Sequence, residues 1–148
     1  MDRNIVLGCD PDSKAHGVAV YIDGKLIELR SFSLMELQRY IEEDCRGSGS
    51  IEIHIEDVCG VSAAFRARDT NARISIQLKM AQHIGMCKQA QVEVERMAES
   101  NGVKVTKYKI SKMWKKDKAQ FEKVTGWSGR SNEDTRSASW FGYLGVKR

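Results

Sequence analysis

Three β-forming runs follow one another before any helical pattern begins, and this order constrains the fold more than any other feature. Arg3 to Asp10 (RNIVLGCD) is an apolar run closed by a polar turn, which reads as a buried strand. Ala15 to Ile22 (AHGVAVYI) and Lys25 to Ser31 (KLIELRS) read as two more. Asp23-Gly24 between them is a hairpin signal, because type I′ turns need positive φ at both central positions. Two later strands, Ile51 to Ile55 (IEIHI) and Val103 to Ile110 (VKVTKYKI), each come after a helical stretch. Ser33-Leu34-Met35-Glu36 is a capping box opening the first helix, with Leu37, Tyr40 and Ile41 at helical spacing. From about Asn71 to Ser100 the spacing of Ile76, Met80, Ile84, Cys87, Val94 and Ala98 predicts a second helix, stopped by Asn101-Gly102. A basic helix is predicted from Met113 to Val124 and a last one after the cap at Ser131 to Asp134. The order βββαβαβα, with a short extra helix before the last, gives an α/β domain: a five-stranded mixed sheet with flanking helices.

The chain's 148 residues suit one domain, residues 1–148, with one core. A charged fraction of 30% beside 41% hydrophobic residues excludes a fibre, a disordered tail or a membrane channel. No apolar run approaches the ~20 residues that cross a bilayer, and no signal peptide is visible, so a cytoplasmic location is expected. The four cysteines form no CxxC pair and no zinc-like spacing with His16, His54 and His83. Cys9 and Cys59 lie beside apolar residues and read as small core fillers. Charge is unevenly spread. Residues 1–103 carry 12 Lys/Arg against 16 Asp/Glu, whereas residues 104–148 carry 12 against 4. Such asymmetry points to a polyanion on one face, with a solvated lysine-rich surface as the plain alternative.

Three acidic positions follow apolar runs instead of lying on a polar face. Asp10 ends the first strand, Glu56 with Asp57 ends the fourth, and Glu133 with Asp134 opens the last helix. An acid at a strand end is costly to desolvate unless something positive sits against it. Several such acids at one sheet edge would make an oxygen-lined pocket suited to magnesium or manganese. Each also has an ordinary structural reading: a turn residue before Pro11, a solvated strand terminus, and helix capping with dipole compensation. No nucleophile–base constellation is present.

Taken together, these segments resemble RuvC-type Holliday-junction resolvases. Leu7-Gly8-Cys9-Asp10-Pro11-Asp12-Ser13-Lys14 with Gly17-Val18-Ala19-Val20 is similar to that family's opening, and Ile55-Glu56-Asp57-Val58 to its second acidic motif. Gln77 to Gly85, the basic segment and Asn132 to Ala138 follow in the family's order, covering nearly the whole chain. The resemblance, closest to phage-encoded members, implies a ribonuclease H-like fold, a homodimer, and a structure-selective endonuclease. That enzyme would cut four-way junctions and other branched DNA with two Mg²⁺ ions, Mn²⁺ substituting, in a bacterial or phage-infected cell. It places the catalytic metal ligands at Asp10, Glu56 and Asp134. The family's last aspartate falls on Ser137, so Glu133, one helical turn away, is expected to supply the missing carboxylate. Asp12 stands where the family has glycine, and Cys59 where it has an aromatic, a role open to Phe65.

DNA contacts are expected from Arg66, Arg68 and Arg73, after Glu56, and from the basic stretch holding Lys112, Lys115, Lys116 and Lys118. Tyr108 and Trp114 within that stretch stack on unpaired bases or pack in the core. The long second helix is the expected dimer interface. No organic cofactor and no membrane partner are implied. Other readings stay open: a non-catalytic branched-DNA-binding module on the same fold, a nucleotide-binding protein of the actin-like fold, and a ribonuclease acting on RNA–DNA hybrids.

Overall fold

The computed structural model describes residues 2–59 and 73–147; Phe65, Arg66 and Arg68 lie outside them. Strands β1 (Asn4–Asp10), β2 (His16–Ile22) and β3 (Lys25–Phe32) form the expected meander, followed by α1 (Leu34–Glu43) and β4 (Ser50–Glu56). Then come α2 (Ile74–Ser100), β5 (Lys104–Tyr108), α3 (Lys118–Thr125) and α4 (Glu133–Val146). The sheet order is β3-β2-β1-β4-β5, with β1 antiparallel to β2 but parallel to β4. It is therefore the mixed five-stranded α/β sheet that the strand and helix order predicts. Asp23 and Gly24 take φ values of 50° and 84°, as the hairpin requires. Ser33 and Glu36 exchange both capping-box hydrogen bonds. No described helix is long and apolar enough to cross a membrane.

Alternation along the strands divides the core into two layers. Ile5, Leu7 and Cys9 of β1, with Ile53 and Ile55 of β4, face Leu37 and Ile41 of α1 and Val94, Met97 and Ala98 of α2. The opposite face carries Ala19 and Tyr21, packed with Ala138 of α4 and with Phe121 and Trp114. There α4 lies directly on the sheet backbone. A Cβ at Gly8 would collide with the Ala138 carbonyl, and one at Gly17 would come within 2.5 Å of the Asp134 carbonyl oxygen. Two hydrogen atoms in place of side chains thus set how closely α4 approaches β1 and β2.

The basic helix predicted from Met113 begins at Lys118 instead, with Asp117 as N-cap accepting from the Gln120 amide. The cause is Trp114. It turns left-handed at φ 69° and buries its indole edge-on against Trp140, 5.2 Å between centroids. Trp114 is therefore core and does not stack on bases. Tyr108 also packs inward, its hydroxyl 2.9 Å from His54 Nδ1 and its ring 6.0 Å from Phe141. Cys9 is buried as expected, but Cys59 is exposed, because it sits in the turn beyond β4 and not within the strand.

Candidate metal centre

Register brings the two strand-end acids together. β1 and β4 run parallel, paired up to Cys9↔Ile55, so Asp10 and Glu56 come next, side by side. Both sit at carboxyl ends of strands, where open α/β sheets gather their ligands. By the same alternation, both lie on the α4 side. Asp10 pairs with Gly17 across β2, and Gly17 is where α4 approaches, which delivers Asp134 to the same place. Asp10, Asp12, Glu56, Asp57 and Asp134 line one cavity of about 430 Å³, with His83 and Cys87 of α2 and Lys112 and Lys115 on its other walls.

Asp10 is buried, and that burial pushes its carboxyl up to about 7 from 3.8. Glu56 and Asp134 push it further in the same direction, while Lys112 opposes them. The Lys112 ammonium lies 3.4 Å from both Asp10 oxygens and 3.2 Å from Glu56 Oε2. Burial works against that ammonium, yet its two acidic neighbours outweigh burial and its pKa ends raised. Glu56 Oε2 is itself buried without a well-aligned hydrogen bond. The pair is thus an acid site already holding a cation.

Two further groups fix this arrangement. The fully buried Gln91 of α2 accepts from the amides of Val58 (2.7 Å) and Cys59 (3.1 Å) and donates to Asp57 Oδ1, which pins the turn after Glu56. Arg136 of α4 donates to the carbonyls of Trp114 (3.2 Å) and Lys115 (2.8 Å), which ties down the loop carrying Lys112. Neither showed in the sequence pattern. A glutamine at a core position of an otherwise apolar helix face is the one available signal for Gln91.

Other expected site residues separate. Glu133 is exposed and away from the cavity, so it does not turn inward. Ser137 is fully buried and donates to the Glu133 carbonyl at 2.9 Å, which leaves that position without a carboxylate. Lys115 lines the cavity, Lys116 and Arg73 are exposed, and Lys118 pairs loosely with Glu122 at 4.0 Å. Lys112, expected to face DNA, faces the acids.

The donor set fits a hard divalent cation: carboxylate oxygens, one buried without a good hydrogen bond, around a point where a positive charge already rests. Among the described residues, no three His, Cys, Asp or Glu side chains stand close enough to share an ion. Asp10 and Glu56 lie side by side, while Asp134 lines the same cavity from an exposed position on the first turn of α4.

No protein-family model and no curated protein matches the chain. Among solved structures it is similar to T. thermophilus RuvC in complex with Holliday junction substrate, over 96% of this chain and 92% of that one. The TM-score is 0.52 at 16% sequence identity. With the mixed sheet and its flanking helices, this shows that the chain has the ribonuclease H-like fold of RuvC.

Proposed function

We propose that the whole chain is one nuclease domain, a divalent-metal-dependent endonuclease that cuts four-way junctions and other branched DNA. The observation that carries this reading is the buried Asp10–Glu56 pair at the carboxyl ends of two parallel strands, with Asp134 brought alongside by α4. Asp10, Glu56 and Asp134 would hold Mg²⁺ or Mn²⁺. Bound there, such ions supply a water made nucleophilic near neutral pH and relief of charge on the leaving oxygen. The chain's own residues do the rest. The sheet register holds two acids side by side, Gln91 and Arg136 fix the turns that frame them, and the lysines bind the phosphate backbone. Lys115, Lys116 and Lys118, with Arg73 at the start of α2, are the proposed DNA contacts; Arg66 and Arg68 extend that set. Contacts of this kind read backbone shape and not base sequence.

We further propose a homodimer of the phage-encoded type, acting in the cytoplasm where its DNA lies. The outer surface of α2 supports the pairing: Ile74, Ile76, Leu78 and Met86 are all exposed there. Two symmetry-related strand cuts need two centres, and a closed two-fold dimer supplies them. The buried Ser137 favours a second reading, a branched-DNA-binding module that has lost one ligand and cleaves weakly or not at all.

Nuclease assays on linear, flapped and four-way DNA, with Mg²⁺, Mn²⁺ or EDTA, decide between them. The nuclease reading expects metal-dependent cuts on the four-way substrate. Tight junction binding with no product under any metal would select the module.

A further inference from the structure

We infer that Lys112 is a resident counter-cation of the acid pair, and that a divalent ion enters the centre only by displacing its ammonium group from between Asp10 and Glu56. The inference rests on the metal-centre reading above and adds how entry to that centre is controlled.

Nζ is equidistant from the two Asp10 oxygens at 3.4 Å and lies 3.2 Å from the buried Glu56 Oε2. A divalent ion held by Asp10 and Glu56 would draw on those same carboxylate oxygens. Ion and ammonium therefore claim one volume. They also repel one another in a partly buried pocket, where screening is weak. Hydrogen-bonding chemistry gives the same answer. An ammonium is a point donor that satisfies several carboxylate oxygens at once, so it balances the charge of the acid pair.

The side chain can leave without the backbone following. Its stem is flexible, and the side chain is still 28% exposed. Two residues on, the loop is anchored by the buried Trp114 indole and by Arg136 on the Trp114 and Lys115 carbonyls. An expelled ammonium accordingly remains at the mouth of the cavity beside Lys115, where a phosphodiester would bring negative charge. The ammonium neutralises the acid pair, and Lys112, once displaced, would become a contact for the substrate backbone.

The test uses the full chain, stripped of metal, with Ca²⁺ and Mn²⁺ as probes in a mildly alkaline buffer. Calorimetric titration compares wild type with Lys112→Met, which keeps the stem's bulk without its charge, and with Lys123→Met on α3 as control. Removing the competitor should lower the dissociation constant of either ion at least about tenfold, with no change in the control. Equal affinities in wild type and Lys112→Met would overturn the inference. A second readout needs no variant. In the wild type, acetylation of Lys112 followed by mass spectrometry should quicken severalfold on saturation with Ca²⁺, relative to Lys123. Unchanged reactivity at saturation counts against displacement. The two readings fail separately. Cleavage with unaltered metal affinity in Lys112→Met removes only this inference, whereas tightened metal binding without any DNA cleavage removes only the nuclease.

Discussion

Helices α4 and α2 lie on opposite faces of one sheet and meet it in different ways. α4 rests on the backbone of β1 and β2 through Gly8 and Gly17 and buries six of its 14 residues. α2 is 27 residues long, yet its buried residues are Gln91, Val94, Met97 and Ala98, all toward its C-terminal end. Its earlier turns expose Ile74, Ile76, Leu78 and Met86. The difference teaches what each helix is for. Placing an acid beside Asp10 demands a close, inflexible contact; a helix whose first half presents apolar side chains outward is suited to a partner.

Breaking the close contact should have the largest effect on stability. Gly8→Val drives a side chain into the Ala138 carbonyl and the Gly142 backbone, with no flexible neighbour to yield. It should destabilise the fold by about 3 kcal/mol or more in denaturant titration, since backbone on both sides prevents repacking. A smaller loss, with activity intact, would mean that α4 can slide.

Next comes the cost of the buried acid itself. The Asp10 pKa is about 7 in the folded protein against 3.8 for an unperturbed group. The folded state therefore holds the extra proton, and stability in EDTA should fall as pH rises from about 4 to about 7. Asp10→Asn should abolish that slope and leave the metal-free protein more stable than wild type at alkaline pH, by up to about 4 kcal/mol. Superimposable pH–stability profiles would place Asp10 in a wetter setting than its burial indicates.

On the α2 side, if the chain pairs as proposed, Ile74→Ser with Leu78→Ser should raise the dissociation constant of that dimer about tenfold or more, read by analytical ultracentrifugation. Both residues are exposed, at 74% and 65%, so thermal stability of the monomer should hardly move. Smallest is Gly85→Ala. Among the described residues nothing lies within 4 Å of the added methyl, so helix propensity decides the sign, and stability should rise by about 0.5–1 kcal/mol. A loss there would reveal a neighbour on α2 that the monomer does not show.

Local chemistry made much of this legible in the sequence. Asp23-Gly24 and the Ser33–Glu36 box encode their turn and cap within a few residues, and strand-end acids announce themselves by following apolar runs. What stayed hidden depends on distant contacts. Lysines 112, 115, 116 and 118 look alike in sequence, yet the left-handed Trp114 and the Arg136 clamp turn Lys112 toward the acids and leave Lys116 exposed. Glu133 was expected to replace a carboxylate at Ser137 on i, i+4 spacing alone. The tight seat of α4 instead places its neighbour Asp134 on the cavity wall, with its side chain exposed. Gly8 and Gly17 are quiet residues whose meaning appears only when a helix backbone is laid across them.

The proposed function stands or falls on the Asp10–Glu56 pair as the reacting centre of a nuclease for branched DNA. The most direct measurement compares wild type and Asp10→Asn on a labelled four-way junction in Mg²⁺, scoring binding and product formation on the same samples. Equal binding within about twofold is expected, with a cleavage rate lowered by about a thousandfold or more, since the variant loses a carboxylate proposed to hold metal at almost constant volume. Near-normal cleavage by Asp10→Asn would contradict the proposed function.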